Sequence, residues 1–510
     1  MELIWSTVLT VWGWLLDHLL YINLAFSIII IFFQRRDPRS VWTWLLALYF
    51  IPVFGIVFYL LFGQDMKKSR MFRVKEVSDR LNLPVKSQED IIRSDDMPEE
   101  MMDPMSRDFK SLIIYNLETS GSVLTVNNQV QIYTDGQAKF EALRNALRQA
   151  RRFIHIQYYI IKNDELFDSI VPILIEKVKE GVEVRILCDG MGGRFMPKKR
   201  WDQMRSAGIK VGVFFPPFLG WLNLRVNYRN HRKIVVVDGN TGFVGGFNIG
   251  REYISRDPKF GYWRDTHLEI KGEAAISLQI RFALDWNYVT GENLFKEIRY
   301  FGEEAEYARR RLNGQIHAVW PDPDHVNEMV CMQIITSGPD TREPHIRNNY
   351  LELFHKAKHH IYIQTPYFIP DDAIFSSLKI AALSGVDVRL MIPEIPDKKF
   401  VYMVAETYWG ELLAHGVKIY RYTPGFVHAK SVMVDREVAL VGSTNMDYRT
   451  FQLHYECAVL LYHMPAVEDL LEDMDRMVAQ SAPYTLAEWN QRSWLRKMCA
   501  SLLRLVAIWF

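Results

Sequence analysis

Hydrophobic and polar positions divide the chain into a solidly apolar start, a charged linker and a long body in which strand and helix patterns alternate. From Val41 to Phe62 no residue is charged, and the run reaches the roughly 20 residues that cross a hydrocarbon core as a helix. An earlier apolar run, Leu3 to Phe33, is interrupted by Asp17 and His18. Both are apolar all the way round rather than along one stripe, the pattern of lipid-facing helices. Residues 1–63 are therefore expected to form two transmembrane helices. A cleavable leader would begin basic and end at small residues, whereas this start carries Glu2 and ends in Gln34, Arg35 and Arg36. Arg35, Arg36 and Arg39 lie in the short loop between the runs, and Lys67, Lys68, Arg70, Arg73, Lys75 and Arg80 follow the second. The larger positive cluster favours an integral, multi-pass protein whose body faces the cytoplasm.

Beyond a charged linker at 64–107, the alternation predicts an α/β fold, and it occurs twice. The strand signal at Ala150 to Gln157 follows an amphipathic helix pattern, as does its match at Ala357 to Gln364, and Asp164 matches Asp371 at the same offset. The short apolar strands that begin at Gly181 and Gly385 correspond, as do those at Gly208 and Gly416. The unit is too long for a solenoid repeat. Two duplicated α/β domains are expected at 108–290 and 330–485, each a mainly parallel sheet covered by helices. A connector at 291–329 separates them, and an amphipathic helix at 486–510 follows.

Each repeat carries one chemical pattern. His231, Lys233 and Asp238 precede Gly245, Gly246 and Asn248; His428, Lys430 and Asp435 precede Gly442, Ser443 and Asn445, every position displaced by 197. A single match of this kind is weak, but a matched pair in aligned repeats is specific. At strand periodicity each histidine shares a face with its lysine. If the halves pack about a pseudo-two-fold axis, two imidazoles, two ammonium groups and the amides of Asn248 and Asn445 converge on one anion. Exchange at a phosphodiester needs a nucleophile and, opposite it, a general acid for the alkoxide leaving group. A nucleophilic imidazole also needs an acceptor on its other nitrogen. Asp265 and Glu456 are the candidates, while Asp238 and Asp435 end their strands and are expected to brace the turns. Ser443 stands where the first repeat has Gly246, the one visible asymmetry.

Composition narrows the reading. Lys plus Arg number 61 against 60 for Asp plus Glu, so a general polyanion binder is disfavoured, and the four cysteines form no CxxC pair. They suggest neither a zinc site nor a disulfide framework. Aromatic residues make up 13%, a level suited to a lipid interface. An aromatic insertion between Val213 and Arg229 reads either as a lip dipping into a bilayer or as a packed loop. The stretch Trp494 to Phe510 reads either as an interfacial helix or as a docked terminal one.

The twin patterns resemble the HKD motifs of the phospholipase D superfamily, and nearly the whole chain resembles bacterial cardiolipin synthases. The resemblance implies a catalytic set of His231, Lys233, Asp238, His428, Lys430 and Asp435, supported by Asn248, Asn445, Ser443, Asp265 and Glu456. It implies a phosphatidyl-histidine intermediate, with His231 by analogy the nucleophile and His428 the acid. Phosphatidyl would pass from one phosphatidylglycerol to another at a bacterial cell membrane, with no metal or other cofactor and no nucleic acid. Water attacking the same intermediate would give phosphatidate, the activity of a hydrolytic phospholipase D. A membrane-tethered anionic-lipid binding module would have no use for paired histidines.

Overall fold

The computed structural model describes residues 13–14, 17–33, 38–62, 108–216, 227–301, 330–462 and 464–505. The linker expected at 64–107, most of the connector, the middle of the aromatic insertion and the last five residues lie outside these.

At the N-terminus α1 (Leu19–Ile28) runs into a π-helical turn, and α2 (Pro38–Phe50) is followed by α3 (Pro52–Phe62). The uncharged run from Val41 is thus two helices rather than one. Pro52 has no N–H to donate and disfavours helical geometry at Ile51, and the chain folds back there. Trp44 and Tyr59 meet edge to face at 5.3 Å, although a straight helix would hold them about 22 Å apart. Together with Ile30 and Leu48 they form a small buried cluster. Among the described residues no helix is long and apolar enough to cross a membrane.

The first half begins with β1 (Asn128–Asp135), α4 (Gly136–Gln149), β2 (Phe153–Tyr158), α5 (Glu165–Lys179), β3 (Glu183–Asp189) and β4 (Lys210–Phe214). It continues through β5 (Arg229–Asn230), β6 (Ile234–Val237), β7 (Thr241–Gly245), β8 (Tyr262–Gly272) and α6 (Glu273–Thr290). The second half repeats this order as β9 (Cys331–Ser337), α7 (His345–Lys356), β10 (His360–Gln364), α8 (Asp372–Leu383), β11 (Asp387–Pro393), α9 (Lys399–Ala414) and β12 (Lys418–Tyr422). Then come β13 (Gly425–Val427), β14 (Ser431–Val434), β15 (Val438–Gly442), β16 (His454–Tyr462), α10 (Met464–Ala479), β17 (Ser481–Tyr484) and α11 (Trp494–Leu505). Asp164 and Asp371, matched in the repeat, cap α5 and α8 through their carboxylates.

The two sheets share one strand order, β8-β7-β6-β2-β3-β4 and β16-β15-β14-β10-β11-β12. Neither is mainly parallel. Strands β2, β3 and β4 run parallel because helices connect them, whereas β6, β7 and β8 form an antiparallel meander. The reversal is built into the motif. Asp238 and Gly239, at φ of 54° and 83°, make the tight β6–β7 turn, and Asp435 and Arg436, at 52° and 60°, make the β14–β15 turn. Paired positive φ angles give a turn whose twist suits the strands it joins, and three residues separate Val237 from its partner Thr241 and Val434 from Val438. The β6 side chains then alternate: Ile234 and Val236 enter a core shared with Met433, Val441 and Val459 of the second half, while Val235 and Val237 pack under α4 and α5.

Asp238 and Asp435 lie at these turns rather than among the motif histidines, so their place in the catalytic set is corrected. The Asp238 carboxylate accepts the backbone N–H groups of Arg151, Arg152 and Phe153 at 2.7–2.9 Å. Asp435 does the same for Lys358, His359 and His360 at 2.5–2.7 Å. Each carboxylate ties the motif hairpin to the start of the central strand beside it. Asp238→Ala should therefore lower the midpoint of denaturant unfolding by an amount worth about 2 kcal/mol. An unchanged midpoint would show that the clamp contributes nothing.

Candidate active site

Short strands carry each motif histidine into the other half. Strand β5, just before His231, pairs in parallel with the start of β16, and β13, just before His428, pairs with the start of β8. The His231 N–H donates to the Tyr455 carbonyl at 2.9 Å and the His428 N–H to the Arg264 carbonyl at 2.6 Å. The next residue on each receiving strand is a carboxylate, and the pairing fixes what it meets. His428 Nδ1 lies 2.6 Å from Asp265 Oδ2, and His231 Nδ1 lies 2.9 Å from Glu456 Oε1. Asp265 and Glu456 thus each face an imidazole, in both cases that of the opposite half.

A carboxylate facing Nδ1 places the ring proton there and leaves the Nε2 lone pair for chemistry. Both carboxylates are fully buried, and each histidine is only 8% exposed. Lys233 donates from Nζ to the His231 carbonyl at 2.6 Å, and Lys430 donates to the His428 carbonyl. Burial, then the charges of Lys233 and Lys430, hold His231 well below the ordinary imidazole range. Burial and Lys430 bring His428 down to about 4, with Asp265 opposing them. Since Lys430 acts on His231 and Lys233 on His428, the four groups form one electropositive site. Burial also lowers the lysines themselves, Lys233 to about 7 and Lys430 to about 8. Burial works against an ionised Asp265, yet Lys430 and His428 hold its carboxyl below the usual range.

The Gly246–Ser443 asymmetry acquires a physical cause here. A Cβ on Gly246 would stand 1.9 Å from Asp265 Oδ1, so the short carboxylate occupies the space a side chain would need. Glu456 is one methylene longer and leaves room for Ser443, whose hydroxyl donates to it. The asparagines differ too. Asn248 accepts from the Ile160 N–H at 3.1 Å and donates to the Tyr253 hydroxyl at 3.0 Å, so it braces the loop. Asn445 is buried, and its Oδ1 has no hydrogen-bond partner among the described residues.

Aromatic neighbours and a further histidine join the site without having been expected. Tyr159 stands edge-on to His231 at 4.9 Å, while Trp263 and Tyr253 flank His428 at 5.1 and 6.2 Å. His454 lies 5.6 Å from the His231 ring, and its Nδ1 is 3.6 Å from Glu456 Oε1. It was legible, because two residues along a strand it shares a face with Glu456. Tyr159 and Tyr253 were not, since their counterparts in the repeat are Pro366 and Thr450. Among the described residues one trio could hold a metal ion: ligand atoms of His231, His454 and Glu456 lie within 4.8 Å of one another.

Comparison with known proteins fits this geometry. Residues 143–266 and 350–478 match the family described as cardiolipin synthase, PLD-like domain, and residues 22–64 match the phospholipase D-nuclease N-terminal family. The major cardiolipin synthase ClsA of Bacillus subtilis is 40% identical over 493 residues, covering 94% of this chain and 96% of that one. A cardiolipin synthase of Staphylococcus aureus is 42% identical over 478 residues, covering 93% and 92%. The crystal structure of phosphatidylserine synthase from Haemophilus influenzae has the same fold, with a TM-score of 0.55 at 17% identity over 79% of this chain and 96% of that one.

Gly246→Ala should displace Asp265 and release the His428 ring, reducing turnover by about 10²-fold or more. Ser443→Ala removes only one of the donors to Glu456 and should cost about tenfold or less. Equal losses in the two variants would contradict the steric account.

Proposed function

Because the chain belongs to the cardiolipin synthases built from phospholipase D-like domains, we propose that it transfers phosphatidyl from one phosphatidylglycerol to another, giving cardiolipin and glycerol. The observation that carries the reading is the exchange of carboxylates between halves, which gives two buried histidines one charged surround. In the first step Nε2 of neutral His231 forms a bond to phosphorus. The bond to the glycerol oxygen breaks, and His428 in its imidazolium form supplies the proton that oxygen needs. In the second, neutral His428 takes the proton from the hydroxyl of another phosphatidylglycerol, whose oxygen displaces His231. Proton, leaving group and nitrogen are all restored.

The division of roles rests on the surroundings of the two rings. His231 is pressed toward neutrality by burial and then by both lysines, which suits a nucleophile. His428, opposed by Asp265 at 2.6 Å, retains the stronger pull toward a proton, and a bound phosphodiester anion adds to that pull. In this reading Lys233, Lys430 and the Asn445 amide stabilise charge on the non-bridging oxygens.

The N-terminal helices supply the link to lipid. Their polarity is reversed relative to a soluble bundle: Asn23 and Ser27 are buried, while Tyr21, Phe32, Phe50 and Phe54 are 66–81% exposed. Asn23 donates to the Leu48 carbonyl at 2.8 Å, satisfying a polar group inside so that apolar ones can face hydrocarbon. The integral anchor expected from the sequence is read here as this folded-back unit, with the basic cluster after it on the cytoplasmic side.

Purified protein in detergent with labelled phosphatidylglycerol and a metal chelator should release cardiolipin and glycerol; phosphatidate alone would replace the synthase reading by a hydrolytic one. His231→Ala and His428→Ala should each lower turnover by about 10³-fold or more with the fold intact.

A second expectation concerns pH. The lysines must be charged to receive the phosphodiester, and that charge is lost as pH rises through about 7 for Lys233 and about 8 for Lys430. The ratio kcat/KM, which reports the free enzyme, should fall on the alkaline side of this window. In Lys233→Arg the alkaline limb should begin at about 8, where Lys430 titrates, instead of at about 7, because guanidinium keeps its proton. A limb that stayed in place would assign it to another group.

A further inference from the structure

Helix α11 is amphipathic, but the side that carries most of its large apolar residues is turned away from the protein. At 100° per residue Trp494, Leu495, Met498, Leu502 and Leu505 fall within an arc of about 100°, and they are 45–74% exposed. The opposite side holds the contacts. Ala500 is buried, and Arg496 makes a two-pronged pair with the buried Glu406 at 2.6 and 3.0 Å. Arg492, just before the helix, reaches the same carboxylate at 3.4 Å, and the Arg504 guanidinium lies 4.3 Å over the Tyr408 ring. A helix that served only to cover the domain would turn its tryptophan and leucines inward. Here Ala500 and Leu503 pack inward, and ion pairs to the buried Glu406 with a cation–π contact hold the larger apolar face outward.

We propose that α11 is a second membrane contact: a helix that lies in the plane of the bilayer, its apolar stripe at the boundary of headgroups and acyl chains. Charge selects the kind of surface. Arg492 and Arg496 are matched by Glu406, but Lys497 and Arg504 add positive charge beside the stripe, and after Glu488 the chain carries no acidic residue, which complements anionic lipid. The mounting also links this surface to the reactive centre. Glu406 and Tyr408 belong to α9, and Lys398, immediately before α9, is among the charges that act on His231. Near the same end of α9, Ile395 and Phe400 are 51% and 64% exposed, apolar side chains that extend the character of the α11 stripe. The helix thus orients the catalytic halves on the bilayer independently of the N-terminal anchor.

The test uses the full chain carrying His231→Ala, so that lipid is not consumed, reconstituted in vesicles of phosphatidylcholine with or without phosphatidylglycerol. A bimane fluorophore attached at Leu502→Cys should be quenched by doxyl-labelled lipid, more strongly when phosphatidylglycerol is present. The same fluorophore at Glu472→Cys should not be. In the otherwise native enzyme, Leu502→Glu should lower turnover on vesicles by about tenfold or more. It should leave both the melting temperature and turnover of dispersed short-chain phosphatidylglycerol unchanged. Absence of quenching at position 502 overturns the proposal. So does a Leu502→Glu variant that dissociates an oligomer while the wild-type fluorophore stays out of reach of lipid, because the stripe would then be covered by a second copy of the chain.

Discussion

Two carboxylates, Asp265 and Glu456, are completely withdrawn from water, and each faces a histidine delivered by the other half of the molecule. A buried charge left alone costs several kcal/mol, more than a marginally stable domain can absorb. Neither half can adopt its native interior without the other in place. The strand exchanges that deliver the histidines and the apolar core shared by the two sheets follow from the same requirement. The site is therefore a property of the interface, and its precision comes from backbone pairing rather than from flexible side chains reaching across a cleft.

That interface is charged in a particular sense. Lys233 and Lys430 spend one donor each on the carbonyl of the neighbouring histidine, which holds the ammonium groups in place. Burial weakens their hold on protons, and they in turn weaken that of the imidazoles. A phosphodiester anion reverses both effects at once, since it favours every cationic form around it. The same negative group that is to react thereby sets the protonation states the reaction needs. The unequal carboxylates, short over Gly246 and long beside Ser443, break the symmetry that duplication alone would leave.

Much of this was written in the sequence, because the relevant signals are local. One displacement of 197 aligns both histidines, both lysines and both turns, and strand periodicity puts each histidine beside its lysine. Asp265 and Glu456 were recognisable as acceptors from their position in the next strand. That they would cross was not recognisable, because a parallel register between β5 and β16 is set by tertiary packing and leaves no trace in either segment. Hydropathy suggested an unbroken span from Val41 to Phe62, although Pro52 lies in the middle of it. Averaging over a window hides a single residue without an N–H, and the backbone does not. Asp238 and Asp435 look catalytic as members of a motif, yet their side chains are consumed by three backbone donors each.

Reversed polarity appears at both ends of the chain and means the same thing at each. In water a buried asparagine amid exposed phenylalanines raises the free energy of the fold, and so does a helix that turns tryptophan and most of its leucines outward. Such arrangements are stable where the surroundings are hydrocarbon or the headgroup boundary. The N-terminal unit pairs the Asn23 amide N–H and the Ser27 hydroxyl with its own carbonyls, whereas Arg492 and Arg496, around the start of α11, pair with Glu406, a carboxylate belonging to the catalytic body. In the proposed reading the first arrangement holds the N-terminal helices in lipid. The second ties one face of the catalytic body itself, and a site that must accept two lipids in succession requires that face to be held.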